Sequence, residues 1–232
     1  MKKRPPANKR TLAIGDVHGC LDALKTLEEF VGFCESDTII TLGDYIDRGP
    51  DSKGVIDWLI AGREKYDLIT LVGNHELMME EAKHNAGAYY FWEMNGGVQT
   101  LHSFDSDVED VPAQYWEFIK SCELFYETES HIFVHAGLDP LLPPENQNSE
   151  TLCWLRFANL KPHHSNKMII CGHTPQRSHV PGLLPHAICI DTHAFNPKGY
   201  LTCLDVETGN YWQANNKGDT RKNTLPITKI KS

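Results

Sequence analysis

Thr11-Leu12-Ala13-Ile14 runs directly into Gly15-Asp16-Val17-His18-Gly19, and Thr38-Ile39-Ile40-Thr41-Leu42 runs into Gly43-Asp44-Tyr45-Ile46-Asp47-Arg48-Gly49. The same phrase, a short β-branched apolar run closed by a polar motif, recurs along the chain. Residues 68–72 lead into Gly73-Asn74-His75-Glu76, and residues 131–134 into His135-Ala136-Gly137. Residues 167–171 lead into Gly172-His173-Thr174, and residues 187–190 into Asp191-Thr192-His193. Continuous apolar runs of this length suit strands buried on both faces. Residues 21–33 and 52–65, between the first strands, have helical character, and strand, helix, strand in succession predicts an α/β fold. Ligands in such folds collect beyond the carboxyl ends of strands, so the polar motifs are expected to converge on one site.

Two regions depart from this rhythm. Residues 77–130 read as helical and rich in aromatics, among them Tyr89, Tyr90, Phe91, Trp92, Tyr115 and Trp116. A packed helical layer accounts for them, and a cap-like insertion shaping the substrate entrance is the functional alternative. Residues 200–212 alternate around Glu207-Thr208-Gly209-Asn210 and predict a β-hairpin. Residues 213–232 look irregular.

Composition narrows the function classes. The 232 residues suit one domain, expected over residues 11–232, and the formal net charge is −9. That charge disfavours non-specific binding to nucleic acid or to an anionic membrane. No apolar run approaches the roughly 20 residues that span a bilayer. The seven cysteines are scattered and never form Cys-x-x-Cys, which argues against a disulfide framework and a zinc knuckle. Residues 1–10 carry Lys2, Lys3, Arg4, Lys9 and Arg10 with no signal-like apolar stretch behind them. They read as a flexible basic tail on a cytoplasmic protein, and a monomer is expected.

Each polar residue taken singly has an ordinary explanation as a turn, cap or surface group. Their joint placement does not. Asp16 and His18 follow one strand, and Asp44, Asn74, His135 and His173 each follow another. Two carboxylates, three imidazoles and an amide form an oxygen and nitrogen donor set able to hold two divalent cations if one carboxylate bridges them. With no cysteine in the set, manganese, iron or catalytic zinc remain open. Two such ions would attract a phosphate dianion and lower the pKa of a shared water. Arg48, on the Asp44 loop, and Arg156 in Trp154-Leu155-Arg156 offer planar forks for phosphate oxygens. His75 adjoins Asn74 and suits a general acid, with Asp47 to orient it.

The motifs at Asp16, Asp44 and Asn74 resemble the three signatures of the phosphoprotein phosphatase family within the calcineurin-like metallophosphoesterases. His135-Ala136-Gly137 and Gly172-His173-Thr174-Pro175 resemble its two later histidine motifs. The order matches over residues 11–193, and Asn95-Gly96-Gly97 after Trp92 is most similar to bacterial and bacteriophage, lambda-type members. The resemblance implies a β-sandwich flanked by helices. It implies that Asp16, His18 and Asp44 bind one metal and that Asp44, Asn74, His135 and His173 bind the other. Arg48 and Arg156 would hold the phosphate, and His75, paired with Asp47, would be the acid. The implied reaction is direct attack of a metal-bridging hydroxide on a phosphate monoester, most naturally of a phosphoserine or phosphothreonine protein, with phosphotyrosine also open. His193 stands where many bacterial relatives have glycine, so it either lines the site or is merely tolerated there.

Two rival readings accompany this one. Diadenosine tetraphosphatases share the scaffold but resemble Asp-Leu-Val-Ala-Arg-Gly and Gly-Asn-His-Asp where this chain has Asp47 and Glu76, which favours the protein-phosphatase side. An inactive phosphate-binding module is disfavoured because every expected ligand and the acid are present.

Overall fold

The computed structural model describes residues 9–226. Along the chain lie β1 (Thr11–Ile14), α1 (Leu21–Val31), β2 (Thr38–Thr41), α2 (Ser52–Lys65), β3 (Asp67–Thr70), α3 (Asn74–Ala82), α4 (Ala86–Trp92), α5 (Val98–Phe104) and α6 (Ala113–Lys120). There follow β4 (Phe125–Glu127), β5 (His131–Val134), α7 (Ser149–Trp154), β6 (Met168–Cys171), β7 (Gly182–Leu184), β8 (Ala187–Cys189), β9 (Leu201–Asp205), β10 (Asn210–Ala214) and β11 (Thr220–Thr224). Every apolar run singled out above contains a strand.

The strands form two mixed sheets, ordered β11-β10-β9-β1-β2-β3 and β4-β5-β6-β8-β7. In the first, β1, β2 and β3 run parallel while β9, β10 and β11 pair antiparallel. In the second, β5, β6 and β8 run parallel between the antiparallel edges β4 and β7. Strand alternation assigns each side chain to a layer. Ala13, Ile40, Phe133, Ile170 and Ile188 meet in one cluster drawn from both sheets. Leu12, Ile14 and Ile39 point the other way, onto Leu24 and Leu27 of α1 and Val55 and Leu59 of α2. Ile132, Val134 and Ile169 face Leu152, Phe157 and Leu160 on the opposite outer side. The architecture is therefore an α/β sandwich of two sheets with helices outside. Because each run is apolar on both faces, the strand periodicity is hidden in the sequence and only the layers reveal it.

Residues 213–226 correct the expectation of irregular chain. The predicted hairpin is β9–β10, and β11 extends it by pairing from Asn210↔Thr224 to Ala214↔Thr220. β11 is largely exposed and polar, Thr-Arg-Lys-Asn-Thr, so it carries no apolar signal of a strand. The reading of residues 1–10 as a tail falls mostly on residues 1–8, outside the described part. Arg10 itself is tied down. Its Nε and Nη2 donate to the two Asp37 oxygens at 2.8 and 2.5 Å, and Nη2 also donates to the Gly32 carbonyl. This clamp joins the start of β1 to the turn that leads into β2.

Asp37 is fully buried. Burial pushes its pKa up, but the Arg10 hydrogen bonds and the Cys34 N–H outweigh burial and leave it below the ordinary value. A carboxylate depressed on folding stabilises above its unfolded pKa, about 3.9, and loses that contribution as pH falls through the folded value. Asp37→Ala is expected to cost about 1–3 kcal/mol at pH 7. Thermal unfolding of the two proteins checks this, and the gap between their midpoints should narrow once the pH drops below about 4.

Candidate active site

The loops that follow β1, β2, β3, β5, β6 and β8 meet at one end of the sandwich, with Asp44 at their centre. Beyond β2 the backbone turns left-handed at Gly43 (φ 95°) and Asp44 (φ 52°). A Cβ on Gly43 would lie 2.5 Å from the Gly73 nitrogen, so only glycine lets the second and third motif loops touch. Glu76, at the third position of α3, locks that contact. Its carboxylate accepts the N–H groups of Gly73, Asp44 and Tyr45 at 2.9, 2.9 and 2.8 Å. Burial, then the charge of Asp44, pushes Glu76 up to about 7 in spite of these amides. Non-glycine residues with positive φ number nine among the described residues, and six of them are His18, Asp44, Asp47, Arg48, His173 and His193. Such backbone is costly, and its concentration here marks the loops as built for their side chains.

Asp44 faces three imidazoles. Its Oδ2 lies 3.5 Å from His18 Nε2 and 3.9 Å from His75 Nε2, and its Oδ1 lies 3.4 Å from His135 Nε2. Burial pushes the Asp44 carboxyl up, and the histidines around it, among them His75 with its raised pKa, pull it below its ordinary value. Asn74, the first residue of α3, puts its Oδ1 3.0 Å from His135 Nε2 and 2.8 Å from His173 Nδ1. Asp16 is buried on the other side, its oxygens accepting the His173 N–H at 2.9 and 3.2 Å. Two donor groups emerge, His18 with Asp44 and His75, and Asp44 with His135 and His173, each with its ligand atoms within 4.8 Å of one another. Asp44 belongs to both. His75 stands in the first group, whereas Asp16 lies against the His173 backbone.

The donor chemistry suits divalent cations on grounds internal to this structure. His18 and His135 spend Nδ1–H on the carbonyls of Ile46 and Leu42, at 2.9 and 2.7 Å. That leaves their Nε2 atoms as lone-pair acceptors: His135 Nε2 is turned toward the Asn74 amide oxygen and the Asp44 carboxylate, acceptors too, and His18 Nε2 stands between the Asp44 carboxylate and the Arg48 guanidinium. Acceptors gathered around acceptors repel unless a cation sits among them. His173 Nε2 is buried without a hydrogen-bond partner. Burial holds His18 and His135 below their ordinary pKa, and burial and then His135 hold His173 down to about 3. All three are the neutral imidazoles that metal ligation requires.

Asp47 and His75 form a buried pair with Nδ1 2.6 Å from Oδ2. Burial works against a charged His75, but Asp44 and Asp47 outweigh it and raise its pKa. Asp47 is held in turn by Trp92 Nε1 at 2.8 Å and by the Thr100 hydroxyl at 2.6 Å. Trp92 closes α4 and Thr100 lies in α5, so the aromatic-rich region supplies the socket of this pair as well as a helical layer up to Lys120, while its end corrects the helical expectation with the strand β4 at Phe125–Glu127, which pairs with β5. The region's kink at Gly96 (φ 112°) seats the Asp47–Arg48 loop, for the Gly96 carbonyl accepts the Arg48 N–H at 3.1 Å. A Cβ there would lie 2.8 Å from the Arg48 nitrogen. Sequence reasoning missed Trp92, Thr100 and Glu76 as holders. Of these only Glu76, at the N3 position of a helix, carries a local signal, that of a capping residue.

Arg48 and Arg156 open onto the same cavity of about 340 Å³, lined also by Asp44, Asn74, His75, His173 and His193. Arg48 Nη1 lies 3.1 Å from His18 Nε2, and its guanidinium stands 4.9 Å over the Phe195 ring. Arg156 Nη1 donates to the His173 carbonyl at 3.3 Å. His193 lines the cavity, which answers the question its position raises. Of the site residues expected from the sequence, Asp44, Arg48, Asn74, His75, Arg156 and His173 line this cavity, and Asp16, His18, Asp47 and His135 contact residues that do. Titration calorimetry of chelator-stripped protein with manganese is expected to give two equivalents, and Asp44→Asn, at the residue common to both donor groups, is expected to abolish at least one of them.

Comparison with known proteins follows the same lines. A family model described as calcineurin-like phosphoesterase matches residues 9–184. The symmetrical bis(5'-nucleosyl)-tetraphosphatase of Pseudomonas putida is 31% identical over 137 residues, 56% of this chain and 43% of that protein. The serine/threonine-protein phosphatase 1 of Salmonella typhimurium is 40% identical over 129 residues, 53% of this chain and 56% of that protein. The match thus spans about half the length of these curated relatives. The crystal structure of a cold-active protein-tyrosine phosphatase from a psychrophilic Shewanella shares the fold, with a TM-score of 0.66 at 18% identity over 92% of this chain and 80% of that one. With two mixed sheets, convergent loops and a family match over most of its length, the chain belongs to the calcineurin-like phosphoesterase family.

Proposed function

We propose that this chain hydrolyses phosphate monoesters, with phosphoserine and phosphothreonine proteins as its substrate class and phosphotyrosine also open. The observation that carries this reading is the buried His75–Asp47 pair beside the cation-type cluster. A serine or threonine alkoxide is a strongly basic leaving group and needs a proton as its ester bond breaks. A nucleoside diphosphate leaves as a much weaker base and does not. A histidine whose pKa is raised by two carboxylates is the equipment the first reaction demands.

Two divalent ions held by Asp16, His18, Asp44, Asn74, His135 and His173, manganese by preference with iron or zinc fitting the same donors, would neutralise phosphoryl charge and activate a water. The chain's own groups do the rest. The Arg48 and Arg156 forks bind the phosphoryl oxygens and align the ester for in-line displacement. Asp47 keeps the His75 ring oriented through Nδ1–H, and His75 Nε2 delivers its proton to the departing oxygen. Trp92 and Thr100 keep Asp47 from turning away. No helix among the described residues is long and apolar enough to cross a membrane. We place the protein in the cytoplasm, a reading supported by its seven unpaired thiols, and take it to act as a monomer.

A second reading, symmetrical hydrolysis of diadenosine tetraphosphate, is favoured by the names of the relatives, several of which are tetraphosphatases. On relatives alone it is the better supported of the two.

The two readings separate in one experiment. Stripped protein reloaded with manganese is offered phosphoserine, phosphothreonine and phosphotyrosine peptides beside diadenosine tetraphosphate at equal concentrations. Faster monoester release is expected, and faster tetraphosphate cleavage establishes the second reading instead. His75→Asn is expected to lower peptide turnover at least about a hundredfold, as loss of a general acid does. Since the acid must be protonated, kcat/KM should fall as pH rises through the His75 pKa. Asp47→Asn removes a charge that raises that pKa, so the alkaline limb of the profile should move to lower pH.

A further inference from the structure

The hydrolytic scheme leaves unused the edge of the cavity formed by Pro175 and His193. His193 reaches it from the loop after β8, its ring 4.7 Å from Phe195, the ring that lies under Arg48. The His179 ring stands 6.1 Å beyond His193. Between cavity-lining Pro175 and His179 lies Arg177, which is exposed. Among the described residues it enters no ion pair, unlike Arg10, Lys53, Lys65 and Lys167. The segment is anchored on both sides. The Gln176 N–H donates to the Asp191 carbonyl at 2.9 Å, and the His179 carbonyl accepts from Gln213 Nε2 at 3.1 Å and from Arg221. The carboxylate of Asp191 is buried, with Oδ1 accepting the His193 N–H at 2.9 Å. Burial first, then His179, Arg48 and Arg177, hold the His193 imidazole below its ordinary pKa. It is a neutral N–H donor in a field of positive sign, on a chain whose net charge is −9.

Arg48 and Arg156 already supply two forks for one phosphate. We propose that residues 175–179 together with His193 form a second anion subsite, continuous with the phosphate cavity, that receives a second phosphate group of the substrate. This rests on the phosphoester reading above. Arg177 supplies a full charge and a planar fork, and the His193 and His179 rings supply N–H donors. A second phosphate at that place has two chemical sources. It is either the next unit of a polyphosphate chain or the neighbouring phosphorylated side chain of a peptide.

Binding is measured on manganese-loaded His75→Asn protein, with the metal in excess, so that the readout is independent of turnover. The probes are a peptide with one phosphoserine, the same peptide with two adjacent phosphoserines, and diadenosine tetraphosphate. Arg177→Ala is expected to weaken the two-phosphate probes roughly fivefold to tenfold, as loss of one charge-assisted contact implies, and to leave the singly phosphorylated peptide unchanged. The salt dependence for the two-phosphate probes should flatten at the same time. His179→Gln, which keeps an N–H donor, should retain most of the affinity. Equal weakening of the one-phosphate and two-phosphate probes overturns the subsite, and so does no weakening of either two-phosphate probe. Weakening confined to the tetraphosphate identifies the polyphosphate source, and weakening confined to the doubly phosphorylated peptide identifies the protein source. Absence of turnover in wild-type protein bears on the proposed function alone, because these affinities are read without it.

Discussion

The buried carboxylate of Asp44 is the constraint around which the rest of the molecule is arranged. It is held below its ordinary pKa, faced by His18 and His135 with their lone pairs turned toward it, and shared between two donor groups. Left alone, that arrangement is unfavourable, because burying charge and opposing lone pairs costs several kcal/mol. It persists because the surrounding backbone over-determines it. Glu76 gathers the amides of two loops, the Ile46 and Leu42 carbonyls hold two imidazoles, and left-handed backbone aims Asp44 and His18 inward. The sandwich supplies the rigidity, with β1, β2, β3, β5, β6 and β8 ending at one edge and apolar layers on both faces of each sheet.

The helical region between α3 and β4 completes the site from outside. Without Trp92 and Thr100 the carboxylate of Asp47 would be a buried charge with a single partner. With them it is saturated and immobile, and it can impose one orientation on His75. Gly96 brings this region close enough to seat the backbone of Arg48. The region thus links helix packing to proton transfer, a connection that neither the aromatic content nor the helical periodicity discloses.

Electrostatics divides the surface in the same sense. The chain as a whole is acidic, yet the cavity is lined by Arg48, Arg156 and His193. Basic groups lining a cleft on an acidic chain draw anions there by their local field. Which anion is admitted depends on the reach of the cleft. The acid pair speaks for an alcohol leaving group, the names of the relatives speak for a nucleotide, and a second anion subsite is compatible with a substrate of either kind bearing more than one phosphate.

The sequence by itself determined the strand-forming runs, the two first helices and nearly all of the polar residues that meet in the cavity. Those features are local: an apolar run, a turn glycine and a ligand side chain all lie within about ten residues of one another. Tertiary structure decided what local pattern does not encode. The polar β11 became a strand only because β10 offered it a partner. Arg10 left the basic tail because buried Asp37 required a counter-charge. Trp92, Thr100 and Phe195 became site residues through contacts 45, 53 and 147 positions away from Asp47 and Arg48. Buried charge must be satisfied by whatever the fold brings near, and no reading of neighbours along the chain states what that will be.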